Sequence, residues 1–217
     1  MFPLEYQISS LKQIILTMKS KFDISDYDDR YFKWHRDYTR DYAIRTMDWY
    51  IKLYNPTSVV DFGCGVGAYL ESALNNDILD ILGFDIGGDV VKKYTEPSIH
   101  PYIQYLDCTK ELFIEKNYDC VISLETGEHI ETESSDQFVL NIVGFSKKTG
   151  TILFSAAPPG QTGTGHINCQ TKEFWIEKFS THSWNVDKET TDFIKSNWSN
   201  LKAPDYIVKN LIVFKYK

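Results

Sequence analysis

The stretch Ser58-Val-Val-Asp-Phe-Gly-Cys-Gly-Val-Gly67 constrains this chain more than any other. Val59 and Val60 suit a buried strand, Asp61 marks its carboxyl end, and Gly63, Gly65 and Gly67 make a turn in which side chains would obstruct a ligand. The following residues, Ala68 to Leu74, have a helical pattern. The loop therefore ends on backbone N–H groups whose partial positive charge favours an anion. Strand, glycine loop and helix in this order predict an α/β fold that binds a small molecule beyond the carboxyl ends of parallel strands.

The spacing narrows the ligand. A dinucleotide fingerprint runs Gly-x-Gly-x-x-Gly, whereas this chain has Gly63-x-Gly65-x-Gly67 with Asp61 two residues before the first glycine. Further apolar runs also close on polar groups: Leu79 to Asp85, Tyr102 to Asp107, and Tyr118 to Leu124 opening into Glu125-Thr-Gly-Glu-His-Ile130. Four such strand ends at one sheet edge are more than solubility requires. The pattern resembles that of the class I S-adenosylmethionine-dependent methyltransferases over roughly residues 45 to 180. The resemblance implies a Rossmann-like three-layer α/β sandwich whose seven-stranded sheet is mostly parallel with an antiparallel last strand. It also implies an S-adenosylmethionine site lined by Asp61, Gly63, Cys64, Gly65, Asp85, Ile86, Asp107, Cys108 and Leu124. Asp61 would meet the ammonium, Asp85 the ribose hydroxyls and Asp107 the adenine amino group.

A length of 217 residues suits one well-buried domain. Residues 1–44 are expected to form an N-terminal helical segment and residues 45–217 the cofactor-binding domain. Apolar spacing predicts helices over Leu4 to Lys21 and Tyr38 to Tyr54, with Phe22 to Asp29 turn-like between them and Asn55-Pro56 as a stop. Later helices are expected over Asp89–Tyr94, Ser135–Lys147 and Thr171–Thr181, with strands at Gly150–Ala157 and Tyr206–Phe214. Tyr27, Tyr31, Phe32, Trp34, Tyr38 and Tyr42 crowd the segment ahead of the loop. In the family such segments often fold over the cofactor as a lid, and the rings can equally pack the segment onto the sheet.

Met1 to Ser20 interleaves Glu5, Lys12 and Lys19 with apolar positions, unlike a secretory signal or a membrane span, so a cytoplasmic product is expected. Cys64, Cys108, Cys120 and Cys169 lack Cys-x-x-Cys spacing and read as reduced thiols. A net charge of −7, with Arg30, Lys33, Arg36, Arg40 and Arg45 interleaved with acids, disfavours a long nucleic acid as partner.

Methyl transfer from a sulfonium is a direct displacement that depends on alignment. A hydroxyl acceptor further needs a general base, or a metal that lowers its pKa. Glu125, Glu128 and His129 follow the fourth strand on what reads as one helical turn, and His166 arrives from the loop Gly160 to Asn168. The set resembles the metal-dependent branch of the family, in which Glu125, Glu128, His129 and His166 would hold a divalent ion. In metal-free relatives the same residues cap a helix or contact substrate, and His166 would then act as base, with Glu125 and His129 beside the acceptor. His35, His100 and His182 read as surface or core-edge residues. The expected activity is O-methylation of a small polyol, a sugar or nucleotide-linked sugar. Alternatives are an RNA 3′-terminal ribose 2′-hydroxyl, a small-molecule amine, or an inactive cofactor-binding scaffold.

Overall fold

The computed structural model describes residues 29–217. The helix expected over Leu4 to Lys21, Tyr27 and all of the following turn but Asp29 lie outside the described residues, and Asp29 is helical. A seven-stranded sheet has the order β3-β2-β1-β4-β5-β7-β6. Its strands are β1 Ser58–Phe62, β2 Asp80–Phe84, β3 Ile103–Gln104, β4 Tyr118–Leu124, β5 Ser146–Ser155, β6 Trp184–Val186 and β7 Ile212–Tyr216. β1 to β5 pair in parallel, and β7 runs antiparallel to both β5 and β6.

Alternation along the strands sorts the core into two layers. Val59, Cys120, Ile122, Leu153 and Val213 face one side, against helices α1 Asp29–Tyr54 and α2 Ala68–Asn75. Val60, Phe62, Val121, Ile152, Phe154 and Phe214 face the other. There they meet Phe138 and Ile142 of α4 Ser135–Gly144 and Trp175 and Phe179 of α5 Lys172–Ser180, while α3 Gly88–Tyr94 follows β2. Phe154 is fully buried among the rings of Trp175, Phe179 and Phe214. Burying one such side chain contributes about 1.5–3 kcal/mol.

Several boundaries differ from the sequence reading. Within the described residues, α1 already covers the nine residues before the expected Tyr38 and runs without a break across position 44. It stops where Asn55 adopts a left-handed φ of 52° ahead of Pro56. β3 keeps only Ile103 and Gln104, because Tyr102 closes a 3-10 turn over His100–Tyr102. β5 starts at Ser146, earlier than Gly150, and ends at Ser155. The expected last strand over Tyr206–Phe214 is in fact helix α7 Asp205–Asn210 followed by β7. Tyr206, Ile207 and Val208 favour strands intrinsically, but Pro204 sits at the N-cap with its carbonyl accepting from Val208 N at 3.1 Å, and Ile207 and Asn210 share the buried face at i, i+3 spacing. β6 and helix α6 Lys188–Asn200, capped by the Asp187 carboxylate accepting from Thr190 N at 3.0 Å, had no sequence expectation.

Candidate active site

The carboxyl ends of β1, β2 and β4 open into one cavity of about 580 Å³, within the roughly 300–1,000 Å³ typical of small-molecule sites. Asp61, Gly63, Cys64 and Gly65 supply its wall after β1, and Asp85 and Ile86 that after β2. Asp107 and Cys108 come from the loop after β3, and Leu124, Glu125, Glu128 and His129 follow β4. Gln161 and His166 reach it from the glycine-rich loop after β5. Tyr31, Phe32, Trp34 and Tyr42 of α1 close a further side, so the aromatic segment lies over the glycine loop.

The glycine loop is shaped by its own backbone. Gly63, Gly65 and Gly67 have φ of 75°, 51° and 75°, all left-handed. Asp85 locks the turn by accepting from Gly65 N at 2.8 Å and Gly87 N at 2.7 Å. Asp61 is buried, and its Oδ2 has no hydrogen-bond partner. Burial, then the charge of Asp85, raises the Asp61 carboxyl well above its usual range. Asp85 is also raised by burial, against the lowering effect of the Gly87 and Gly65 amides. Two buried acids at one end of a cavity disfavour their own ionisation until a cation arrives. A cationic group at this end would relieve both acids and satisfy Asp61 Oδ2. Asp107 forms a local turn, accepting from Thr109 N at 2.9 Å.

The same cavity holds a second constellation. Among the described residues, Glu128, His129 and His166 bring one ligand atom each to within 4.8 Å of one another. Glu125 does not join them. The expected helical turn is replaced by a left-handed Glu125, φ 53°, and a 3-10 turn over Gly127–His129. The Glu125 carboxylate instead accepts from Gln161 Nε2 at 2.8 Å and Asn210 Nδ2 at 3.2 Å. Asn210 also donates to Gln161 Oε1 at 2.9 Å, which ties the glycine-rich loop to the end of α7.

Glu128 is fully buried, and neither carboxylate oxygen makes a hydrogen bond of normal geometry. Its Oε1 lies 3.9 Å from His166 Nε2. Burial, followed by the charge of Glu125, pushes the Glu128 carboxyl up to about 8. Burial pushes His129 down to about 4. His129 Nδ1 lies 3.1 Å from Gly165 O, and His166 Nδ1 lies 3.1 Å from Gln161 O. A carbonyl oxygen can only accept, so both Nδ1 atoms carry a proton, and in the neutral form of either ring the lone pair is on Nε2.

His35 has a place that the sequence reading did not give it. Half-buried, it also forms part of the cavity wall, and its Nδ1 is buried without a partner. Phe32, His35, Thr39 and Tyr42 follow helical spacing, the one signal that could have joined it to its lining neighbours. Asn210 had no such signal, because its partner Glu125 is 85 positions away. His100 bonds Thr95 O at 3.0 Å and His182 is exposed, as expected of them. All four cysteines are free. Arg36, Arg40 and Arg45 pair with Glu96, Glu71 and Asp41. Among the described residues no helix is long and apolar enough to cross a membrane.

Comparison with known proteins places this architecture. Residues 60–154 match the family model of a methyltransferase domain. A ubiquinone biosynthesis O-methyltransferase of Rickettsia felis is 33% identical over 102 residues, 45% of this chain and 40% of that protein. The chain thus spans less than half the length of that curated relative. Among solved structures, the sugar N-methyltransferase KedS8 of Streptoalloteichus superposes with a TM-score of 0.63 at 12% identity, over 86% of this chain and 92% of that one. DesVI of Streptomyces venezuelae gives 0.61 at 12% identity, over 82% and 93%. The O-methyltransferase of a Brevibacillus brevis trans-AT PKS multienzyme, bound to S-adenosyl-L-homocysteine, gives 0.57 at 18% identity, over 80% and 71%. At such identities these three structures attest the fold alone. Residues 60–154 thus form a methyltransferase domain, and its strand order and glycine loop are those of the S-adenosylmethionine-dependent methyltransferase fold.

Proposed function

We propose that this protein transfers a methyl group from S-adenosylmethionine to a hydroxyl of a small polyol, a sugar or nucleotide-linked sugar. The observation that carries the reading is one cavity lined by two unlike groups: the acids Asp61 and Asp85 at the glycine loop, and Glu128 with His166 from the loops after β4 and β5. The first group suits a cationic donor, and the second suits removal of a proton from a hydroxyl. The helix α1 closes a side of the chamber, which supports a small acceptor over a polymer. Pairing of Arg36, Arg40 and Arg45 with acids leaves those side chains poorly disposed to neutralise phosphates. An oxygen acceptor gives His166 a duty, since its Nε2 lone pair can take the proton that the hydroxyl loses. The similarity to a sugar N-methyltransferase and to an O-methyltransferase is compatible with a small, sugar-like acceptor.

The test is calorimetry with S-adenosylhomocysteine, then mass spectrometry of a pool of sugars and nucleotide sugars incubated with enzyme and isotopically labelled donor. One labelled product bearing a methyl ether is expected. Label on an amine, or on RNA in a parallel reaction, removes the polyol. Binding with no product from any acceptor favours a scaffold.

A second reading of the latter group is a divalent cation held by Glu128, His129 and His166. It is favoured by their convergence within 4.8 Å and by the carbonyls that fix both imidazoles with Nε2 as the basic atom. Bound there, a cation would lower the pKa of an acceptor hydroxyl. His166→Ala is expected to lower kcat by roughly 100-fold in either role. Chelation separates them: full activity in excess chelator removes the cation, and loss restored by one metal removes the metal-free base.

A further inference from the structure

α1 carries a group that the chemistry above does not use. His35 stacks on Tyr31, with ring centroids 5.9 Å apart and planes inclined by 24°. It lies so close to the glycine loop that a Cβ on Gly65 would come within 3.0 Å of its Cε1. Its Nδ1 is sealed from solvent and has no hydrogen-bond partner. Desolvation pushes the imidazole down to about 4, so at neutral pH it offers one N–H and one lone pair. A buried polar atom without a partner is unfavourable, and a ligand that completes it recovers that loss. Asp61 Oδ2, at the same end of the cavity, is orphaned too. A free amino acid terminus has two charged groups to satisfy. Asp61 suits the ammonium and cannot serve the carboxylate, whereas an imidazole N–H beside the loop can.

We propose that His35 is a positioning residue for the methyl donor, its imidazole N–H bonding the amino acid carboxylate of S-adenosylmethionine and thereby tying α1 to the glycine loop. This rests on the cofactor reading above. It adds that alignment of the donor depends on a helix preceding the matched residues 60–154.

The experiment uses the full chain and two ligands, S-adenosylhomocysteine and 5′-methylthioadenosine, which lacks the amino acid terminus. By calorimetry, His35→Leu is expected to weaken S-adenosylhomocysteine about tenfold, the scale of one hydrogen bond to a charged group, while 5′-methylthioadenosine changes less than about twofold. His35→Asn, whose amide nitrogen sits near the place of Nδ1, is expected to recover most of the lost affinity. Equal weakening of both ligands would assign His35 to packing and overturn the proposal, as would no change in either. Failure of the unsubstituted protein to bind S-adenosylhomocysteine overturns the cofactor reading itself, and is seen before any substitution is made.

Discussion

Gly63→Ala is expected to abolish measurable binding of S-adenosylhomocysteine and to lower the melting temperature, because two independent penalties meet at one atom. Gly63 has φ 75°, and a Cβ there would stand 2.3 Å from Thr126 Oγ1 and 2.4 Å from its Cγ2. The left-handed conformation costs a residue with a Cβ about 1–2 kcal/mol, and forcing atoms into a packed position costs about 1–3 kcal/mol more. Neither partner can yield easily. Gly63 N is held by Phe84 O at 2.8 Å, and the Thr126 hydroxyl donates to Phe62 O at 3.2 Å. The strain must therefore pass into the loop that receives the donor. Gly88→Ala separates the two penalties, since Gly88 also has a left-handed φ, 55°, but a Cβ there meets nothing within 4 Å. It should cost stability alone and keep affinity within about twofold. Wild-type affinity in Gly63→Ala would mean that the glycine loop is not the donor's seat.

How much of this was legible in the chain depends on how far each residue's partners lie from it. Val59-Val60-Asp61 followed by glycines is self-explanatory, since strand, turn and helix start are all local and the residue types admit few other conformations. The acids at 85 and 107 and the group at 128–129 were placed by counting apolar runs, and the sheet order then brought their ends to one cavity. Glu125 shows where counting stops. A Glu-x-x-Glu-His sequence reads as a helical turn, yet Gln161 and Asn210 engage its first carboxylate, and the backbone takes a left-handed turn instead. Nothing within several residues of Glu125 announces that contact. His35 was obscured for a related reason. Its meaning comes from Gly65, thirty positions on, which it meets only once α1 has packed over the loop.

Glu128→Gln is expected to stabilise the protein at alkaline pH while lowering its methyl-transfer rate. In the folded chain the Glu128 carboxyl is pushed up to about 8, against an ordinary value of 4.5. Between those limits the folded state keeps a proton that the unfolded state has released, so stability must fall as pH rises, by at most about 1.4 kcal/mol per unit. Below the lower limit both states are protonated and the slope vanishes, and above the upper limit the deficit is complete. Glutamine has nearly the same shape and no charge to desolvate. The variant and the wild type should therefore unfold alike near pH 5 and differ by a few kcal/mol, about 2–4, near pH 9. Asp61 and Asp85, also raised by burial, tilt both curves in the same sense, so the difference between the curves isolates Glu128. The rate should fall roughly 100-fold, because an amide neither binds a cation as a carboxylate does nor, by ionising, pairs with the imidazolium that His166 becomes on taking the proton. The two readings of this group then part in one titration. If Glu128, His129 and His166 hold a metal, adding it flattens the wild-type slope and releases a proton on binding; if His166 works alone, the slope is unchanged. Parallel stability curves for variant and wild type from pH 5 to 9 would show that Glu128 is not held neutral, and its burial would need another explanation.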